Sequence, residues 1–116
     1  MDWTSPGFDD AAWSDGTSAL GYERTSGYED DFVTDVEGVM HGENGSIYMR
    51  VPFVVENPGA ISFLSLSMKY DDGYVAYLNG VEVAGRNAPA DPQWNSRATR
   101  SHPDSAAVVF ETLDIS

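Results

Sequence analysis

The sequence predicts an all-β protein built as an antiparallel sandwich, and three observations carry that expectation. Asn79-Gly80 stands between Tyr74–Leu78 and Val81–Ala84, a strong short-range hairpin signal, because a type I′ turn needs positive φ at both central residues. Two other stretches, 47–55 and 61–70, alternate apolar and polar residues with the period of a half-buried strand. Valine outnumbers leucine and glycine is frequent, a balance that suits sheets joined by turns.

Taken in order, residues 2–13 read as an opening loop, with a turn at Pro6-Gly7 and a single helical turn capped by Asp9 or Asp10. Phe8 and Trp13 are expected to seal one end of the core. Glycine-punctuated and acidic, residues 23–44 have Phe32, Val33, Val36 and Val39 to form a short strand or to anchor a loop. In 47–55, Ile47, Met49, Val51, Phe53 and Val55 share one face, and Tyr48, Arg50, Pro52 and Val54 the other. The apolar face is the one expected inward, and Pro52 places this strand near an edge. Residues 56–59 form a turn. A second strand then puts Leu64, Leu66 and Met68 inward. In the hairpin, a two-residue loop pairs Leu78 with Val81, Tyr77 with Glu82 and Ala76 with Val83. The expected core is Met49, Val51, Phe53, Leu64, Leu66, Ala76, Leu78 and Val83. Residues 85–106 contain three prolines and form a loop. Residues 107–110 read as a last short strand, with 111–116 trailing from it.

A chain of 116 residues fits one domain, 1–116, able to build a core without disulfides or a metal. The formal charge of −13 argues against nucleic acid and anionic membranes as partners. No apolar run reaches membrane-spanning length and no leader is visible, so membrane insertion is not expected. Met1 followed by Asp2-Trp3 reads as a trimmed domain boundary. The absence of cysteine leaves the redox compartment open.

Nothing in the inventory favours an enzyme. The two histidines, His41 and His102, lie far apart in sequence, and no metalloprotease helix motif, phosphate loop or nucleophile elbow is present. The carboxylate pairs Asp9-Asp10, Asp30-Asp31 and Asp71-Asp72 sit in turn-like contexts, where their side chains serve neighbouring N–H groups. The irregular segment 85–106 is the exception. It holds Arg86, Arg97 and Arg100, three of the six cations in the chain, together with Trp94. A flat aromatic ring flanked by planar polar groups is what a sugar requires, which makes Trp94, Arg86, Asn87 and Arg97 the candidate carbohydrate-binding residues. The other reading has Trp94 folded back as a lid on the core and Arg86 paired with a surface acid. Three arginines in one aromatic loop of an acidic protein point to an anionic polysaccharide, because guanidinium forks match sulfate and carboxylate oxygens.

The blocks Phe8-Asp9-Asp10-Ala11-Ala12-Trp13, Leu20-Gly21-Tyr22, Ile47–Phe53, Asp71-Asp72-Gly73, Tyr77–Val83 and Arg86–Pro89, in this order, resemble the galactose-binding-like jelly-roll modules of large secreted bacterial proteins. More distantly, the chain is similar to the sugar-binding domain that opens glycoside hydrolase family 2 enzymes. The resemblance covers nearly the whole chain and rests most on Asp71-Asp72-Gly73 and Tyr77–Val83. It departs from the pattern at Gly85, which separates the hairpin from Arg86, and at the end, where the family continues into a final core strand. What it implies is a non-catalytic carbohydrate-binding accessory module, extracellular or at the cell surface, with no required cofactor. Calcium sites in such relatives are usually structural, and the acids of 23–43 are the supply for one here. The missing strand implies either a fragment of a longer protein or completion by another copy through an open sheet edge. The alternative function is therefore an adhesion or self-assembling surface module.

Overall fold

The computed structural model describes residues 3–21 and 34–116. Its elements in chain order are β1 (Leu20–Gly21), β2 (Thr34–Asp35), α1 (Glu37–Met40), a 3-10 turn (Pro58–Ala60), β3 (Ser65–Met68), β4 (Tyr74–Leu78), β5 (Val81–Arg86), α2 (Asp104–Ala107) and β6 (Glu111–Asp114). Both helices are single turns, so the described chain is all-β in character. The strands form three two-stranded ladders: β1 with β2 in parallel, and β3 with β6 and β4 with β5 antiparallel.

The β4–β5 hairpin follows its turn chemistry. Asn79 and Gly80 have φ of 50° and 87°, the positive values a two-residue primed turn requires. Leu78 faces Val81 and Tyr77 faces Glu82, as expected, but Ala76 faces Ala84. Val83 is the extra residue of a β-bulge, and every pair beyond it moves by one. The bulge extends β5 through Gly85 and sets Arg86 opposite Tyr74. Gly73 lies so close to that strand end that a Cβ on it would meet the carbonyl oxygens of Arg86 and Asn87 at 2.7 Å.

In the β3–β6 ladder, Leu66 pairs with Leu113, and the hydroxyls of Ser67 and Thr112 are 2.8 Å apart. Leu66 and Met68 occupy the less exposed face, as their alternation demands. The final strand is displaced from its expected place. Pro103 opens a helical turn, with its carbonyl accepting from Ala106 and Ala107, so 107–110 is not a strand and the pairing falls on 111–114 instead. Val109 and Phe110 are left exposed.

The largest correction concerns 47–55, which joins no ladder among the described residues and, as far as Arg50, presents the opposite face from the one expected. Tyr48 stacks on Trp3 at 4.7 Å and 11°. Arg50 donates to the carbonyls of Ser5 at 2.8 Å and Phe8 at 3.2 Å, pairs with Asp10, and lies 5.3 Å from the Phe8 ring centre. Alternation turns Met49 outward, and beyond Arg50 neither face is covered, Val54 being 88% exposed, so Met49, Val51 and Phe53, all expected in the core, lie in solvent. They are 45%, 70% and 61% exposed. Of the expected core, Leu64, Leu66, Ala76, Leu78 and Val83 are half-buried, and Ala107, 7% exposed, is the one buried apolar residue among the described residues. The radius of gyration, 15.1 Å, exceeds the roughly 13 Å of a compact chain of this length.

Aromatic contact takes over part of the work of a core. Trp3 touches Trp13, Tyr48 and Tyr77, and Trp13 meets the edge of Phe8 at 5.6 Å. The opening loop is shaped as expected: Asp9 accepts from the Ala11 N–H, and the Trp13 N–H closes a turn on Asp10.

Candidate functional site

Residues 85–102 are tied to the rest of the molecule at both ends and along one side. At the neck, the Thr99 N–H donates to the Asn87 carbonyl at 2.7 Å, which closes the intervening residues into a loop. At the tip, Ser96 N–H donates to Gln93 O, and the Ser96 hydroxyl accepts from the Gln93 N–H. This is a turn with Trp94 and Asn95 at its corner.

The turn is clamped by residues 45–48. Asn95 Oδ1 accepts from the N–H groups of Gly45 and Ser46, at 3.0 and 3.2 Å. The Ser46 hydroxyl donates to the Ser96 carbonyl, and the Tyr48 hydroxyl to the Trp94 carbonyl. Gly45 is required for the fit, since a Cβ there would sit 2.7 Å from Arg97 Cγ and 3.0 Å from the Asn95 carbonyl. The stem of Arg97 thus lies on Gly45 while the residue as a whole remains exposed. Holding the Trp94 backbone so firmly leaves its indole outward, 73% exposed. Trp94 is therefore not a lid on the core.

Arg86 and Asn87 belong to a different neighbourhood. They line a cleft of ≈ 220 Å³ with Val75, Glu82, Gly85 and residues 88–90; Trp94 and Arg97 are not among its walls. The cleft is smaller than the roughly 300–1,000 Å³ of most small-molecule sites. Arg86 is already engaged: its Nε stands 2.8 Å from Glu111 Oε1, and one guanidinium nitrogen donates to the Gly85 carbonyl. Asn87, at φ 52°, donates its side-chain amide to the Asp72 carbonyl. Sequence reasoning thus named four residues, of which the structure brings Trp94 and Arg97 onto one clamped loop and Arg86 and Asn87 into one cleft.

Beside the cleft is a polar cluster that sequence reasoning missed. Tyr70 donates to Glu111 Oε2 at 3.2 Å, and its ring stacks on His102 at 4.1 Å and 7°. His102 Nδ1 is 2.8 Å from the Tyr70 carbonyl, and its backbone N–H donates to Asp72. Tyr74 meets the Tyr70 ring edge-on at 4.9 Å. Loss of water pushes both phenols above the ordinary tyrosine value; the Glu111 carboxylate adds to this, and Arg86 works against it. Tyr70, His102 and Glu111 spend polar groups on one another, on Asp72 and on Arg86, while the buried Tyr74 hydroxyl has no hydrogen-bond partner among the described residues. The β3–β6 ladder brings Glu111 beside Tyr70 and the bonds of His102 fasten it to Tyr70 and Asp72, while the bulge sets Arg86 opposite Tyr74; neither composition nor spacing announces these long-range pairings.

No family model, curated protein or solved structure matches the chain. Among the described residues no group of three His, Cys, Asp or Glu side chains is placed to hold a metal ion. Most of the acids expected to supply calcium, Glu23, Glu29, Asp30 and Asp31 among them, lie outside the described residues, as does Tyr22. No helix among the described residues is long and apolar enough to cross a membrane.

Proposed function

We propose that the chain is a non-catalytic carbohydrate-binding module of an extracellular or cell-surface protein, with Trp94 as the stacking platform. The observation that carries this reading is an exposed indole on a loop that is otherwise fastened down. Trp94 is 73% exposed, yet its own carbonyl and both following residues are held by Tyr48, Gly45 and Ser46. An apolar ring displayed on a rigid support loses little conformational freedom when a flat partner settles on it. A sugar ring has such an apolar face, and its hydroxyls suit the neighbouring polar groups. The reading includes the jelly-roll-like sandwich that the resemblance implies, in which loops at one end of the sheets carry the site. Its non-catalytic part is supported by the pairing of Glu111 with Tyr70 and Arg86 and of His102 with Tyr70 and Asp72.

The test is retention of the chain on immobilised polysaccharides, wild type against Trp94→Ala. Binding to at least one polysaccharide is expected, and the substitution should abolish it while leaving the circular dichroism spectrum unchanged. Equal retention of the variant would remove Trp94 from the site.

The exposed apolar residues of 47–55 favour a second reading, that of an adhesion or self-assembling module. Met49, Val51 and Phe53 are exposed on a stretch that joins no ladder among the described residues, and such a stretch can accept a strand from another segment or subunit. Light scattering distinguishes the two. A sugar binder remains monomeric, and an assembling module grows with concentration.

A further inference from the structure

We infer that the ligand of the Trp94 loop is an anionic polysaccharide, held through Arg97 and Arg100 and not through Arg86. This rests on the carbohydrate-binding reading above and adds the charge of the ligand and the residues that select it. The chain has nineteen acidic residues and six cationic ones, so every cation has acids enough to pair with. Arg50 and Arg86 do pair, with Asp10 and Glu111, and Lys69 lies 4.6 Å from the centre of the Phe110 ring. Arg97 and Arg100 are exposed and have no carboxylate partner among the described residues. They follow Trp94 at intervals of three residues, Arg97 on the limb that returns from the clamped turn and Arg100 one residue past the Thr99–Asn87 tie that closes it.

Six residue steps, at most about 3.6 Å each, keep the backbones of Trp94 and Arg100 within about 22 Å of each other, the reach of a few linked sugars. The seat of Arg97 is built, since its stem rests where Gly45 has no side chain. A guanidinium held by its stem with its head in water is free to take a sulfate or carboxylate in a forked contact. Arg86 is not, because Glu111 and the Gly85 carbonyl occupy it and Glu82 lines the same cleft. A charge of −13 also repels polyanions from the rest of the surface, so whatever binds must do so where the local charge is reversed.

Affinity electrophoresis of the whole chain through gels containing dextran, dextran sulfate or polygalacturonate tests this, with Trp94→Ala, Arg86→Gln and the double variant Arg97→Gln/Arg100→Gln beside the wild type. Retardation by one or both anionic polymers is expected to exceed that by dextran and to weaken as salt is raised. The double variant should lose about tenfold or more of that affinity, as the loss of charged hydrogen bonds implies, and Arg86→Gln should bind as wild type. Equal retardation by dextran and the anionic polymers, still lost in Trp94→Ala, would overturn the inference and leave the carbohydrate-binding reading standing. Loss of anionic binding in Arg86→Gln but not in the double variant would overturn the assignment of residues. Failure to bind any of the three, or any other polysaccharide on which the chain is tried, would overturn both.

Discussion

The β4–β5 hairpin and the extended stretch 47–55 have the same period-two alternation, yet the hairpin is paired along its length and 47–55 joins no ladder among the described residues. The difference lies in where each gets its partner. The hairpin carries its own, two residues away, and Asn79-Gly80 sets the geometry locally. The 47–55 stretch has none adjacent in sequence, so long-range contacts decide its orientation. Those contacts are made by Tyr48 and Arg50, the residues that alternation alone assigns to the outside. Alternation reveals that a strand has two faces, but the side chain with the better partner determines which face turns inward.

Arg50→Ala tests that explanation most severely. The substitution removes two hydrogen bonds to carbonyls, the Phe8 contact and the Asp10 pair. The Asp10 side chain is 47% exposed, so the ion pair contributes little through water and the carbonyl bonds dominate. A loss of about 2–3 kcal/mol is expected in urea unfolding. A loss below half a kcal/mol would mean that Arg50 does not orient the stretch.

Gly80→Ala probes the other side of the comparison and should cost less. Gly80 adopts φ 87°, where a Cβ costs about 1–2 kcal/mol, while the space around it is open apart from the Ser5 hydroxyl at 3.8 Å. The loss should therefore come from backbone strain alone. Restoring glycine's freedom with a D-alanine at the same position, in a synthetic hairpin of residues 74–86, should recover the cross-strand contacts seen by nuclear Overhauser effects. If L-alanine and D-alanine behave alike, the turn is not what fixes the pairing.

A smaller effect is expected from alkali. Tyr70 and Tyr74 are both raised above the ordinary value of about 10, chiefly through loss of water and with Glu111 adding to it. A raised folded value means that the native state holds its proton after the unfolded chain has released it. The resulting stability is complete below about pH 10 and declines as the pH climbs through the folded values. Unfolding midpoints should fall above that point, and less steeply in Tyr74→Phe. A flat profile to strong alkali would show that the two phenols are as solvated as in the unfolded chain.

What was legible in the sequence follows the same division. The hairpin turn, the Asp9 turn before Trp13 and the inward face of Leu66 and Met68 are local, and residues within a few positions specify them. That Trp94 and Arg97 share one loop is also legible, but the sequence left the ring either displayed or folded back as a lid on the core, and the 73% exposure decides between the two. The clamp from Gly45, Ser46 and Tyr48 was not, since it joins residues about fifty positions apart through ordinary polar groups. Neither was the bulge at Val83, which moves Arg86 from beside the hairpin to a place opposite Tyr74 and into the hands of Glu111. The last strand was misplaced because Val108, Val109 and Phe110 look like strand residues. The helical turn begun at Pro103 consumes part of that segment, leaving Thr112 and Leu113 to meet Ser67 and Leu66.

The smallest stability effect belongs to the exposed apolar residues of 47–55, and it sharpens the comparison most. Phe53 and Val51 are 61% and 70% exposed, so replacing either with serine removes little apolar area from contact with the chain itself. Phe53→Ser should change the unfolding free energy by no more than about 0.5 kcal/mol, against the larger loss at Arg50 three positions earlier. The same substitution has a separate readout in association. Exposed apolar residues on an unpaired stretch are costly in water only while they are uncovered, so if another strand covers them in solution, serine should weaken concentration-dependent growth in light scattering with the monomer's stability unchanged. A penalty of 2 kcal/mol or more in a strictly monomeric chain would mean that Phe53 is packed within its own molecule. The inward face would then be the apolar one, with Tyr48 and Arg50 turned to solvent.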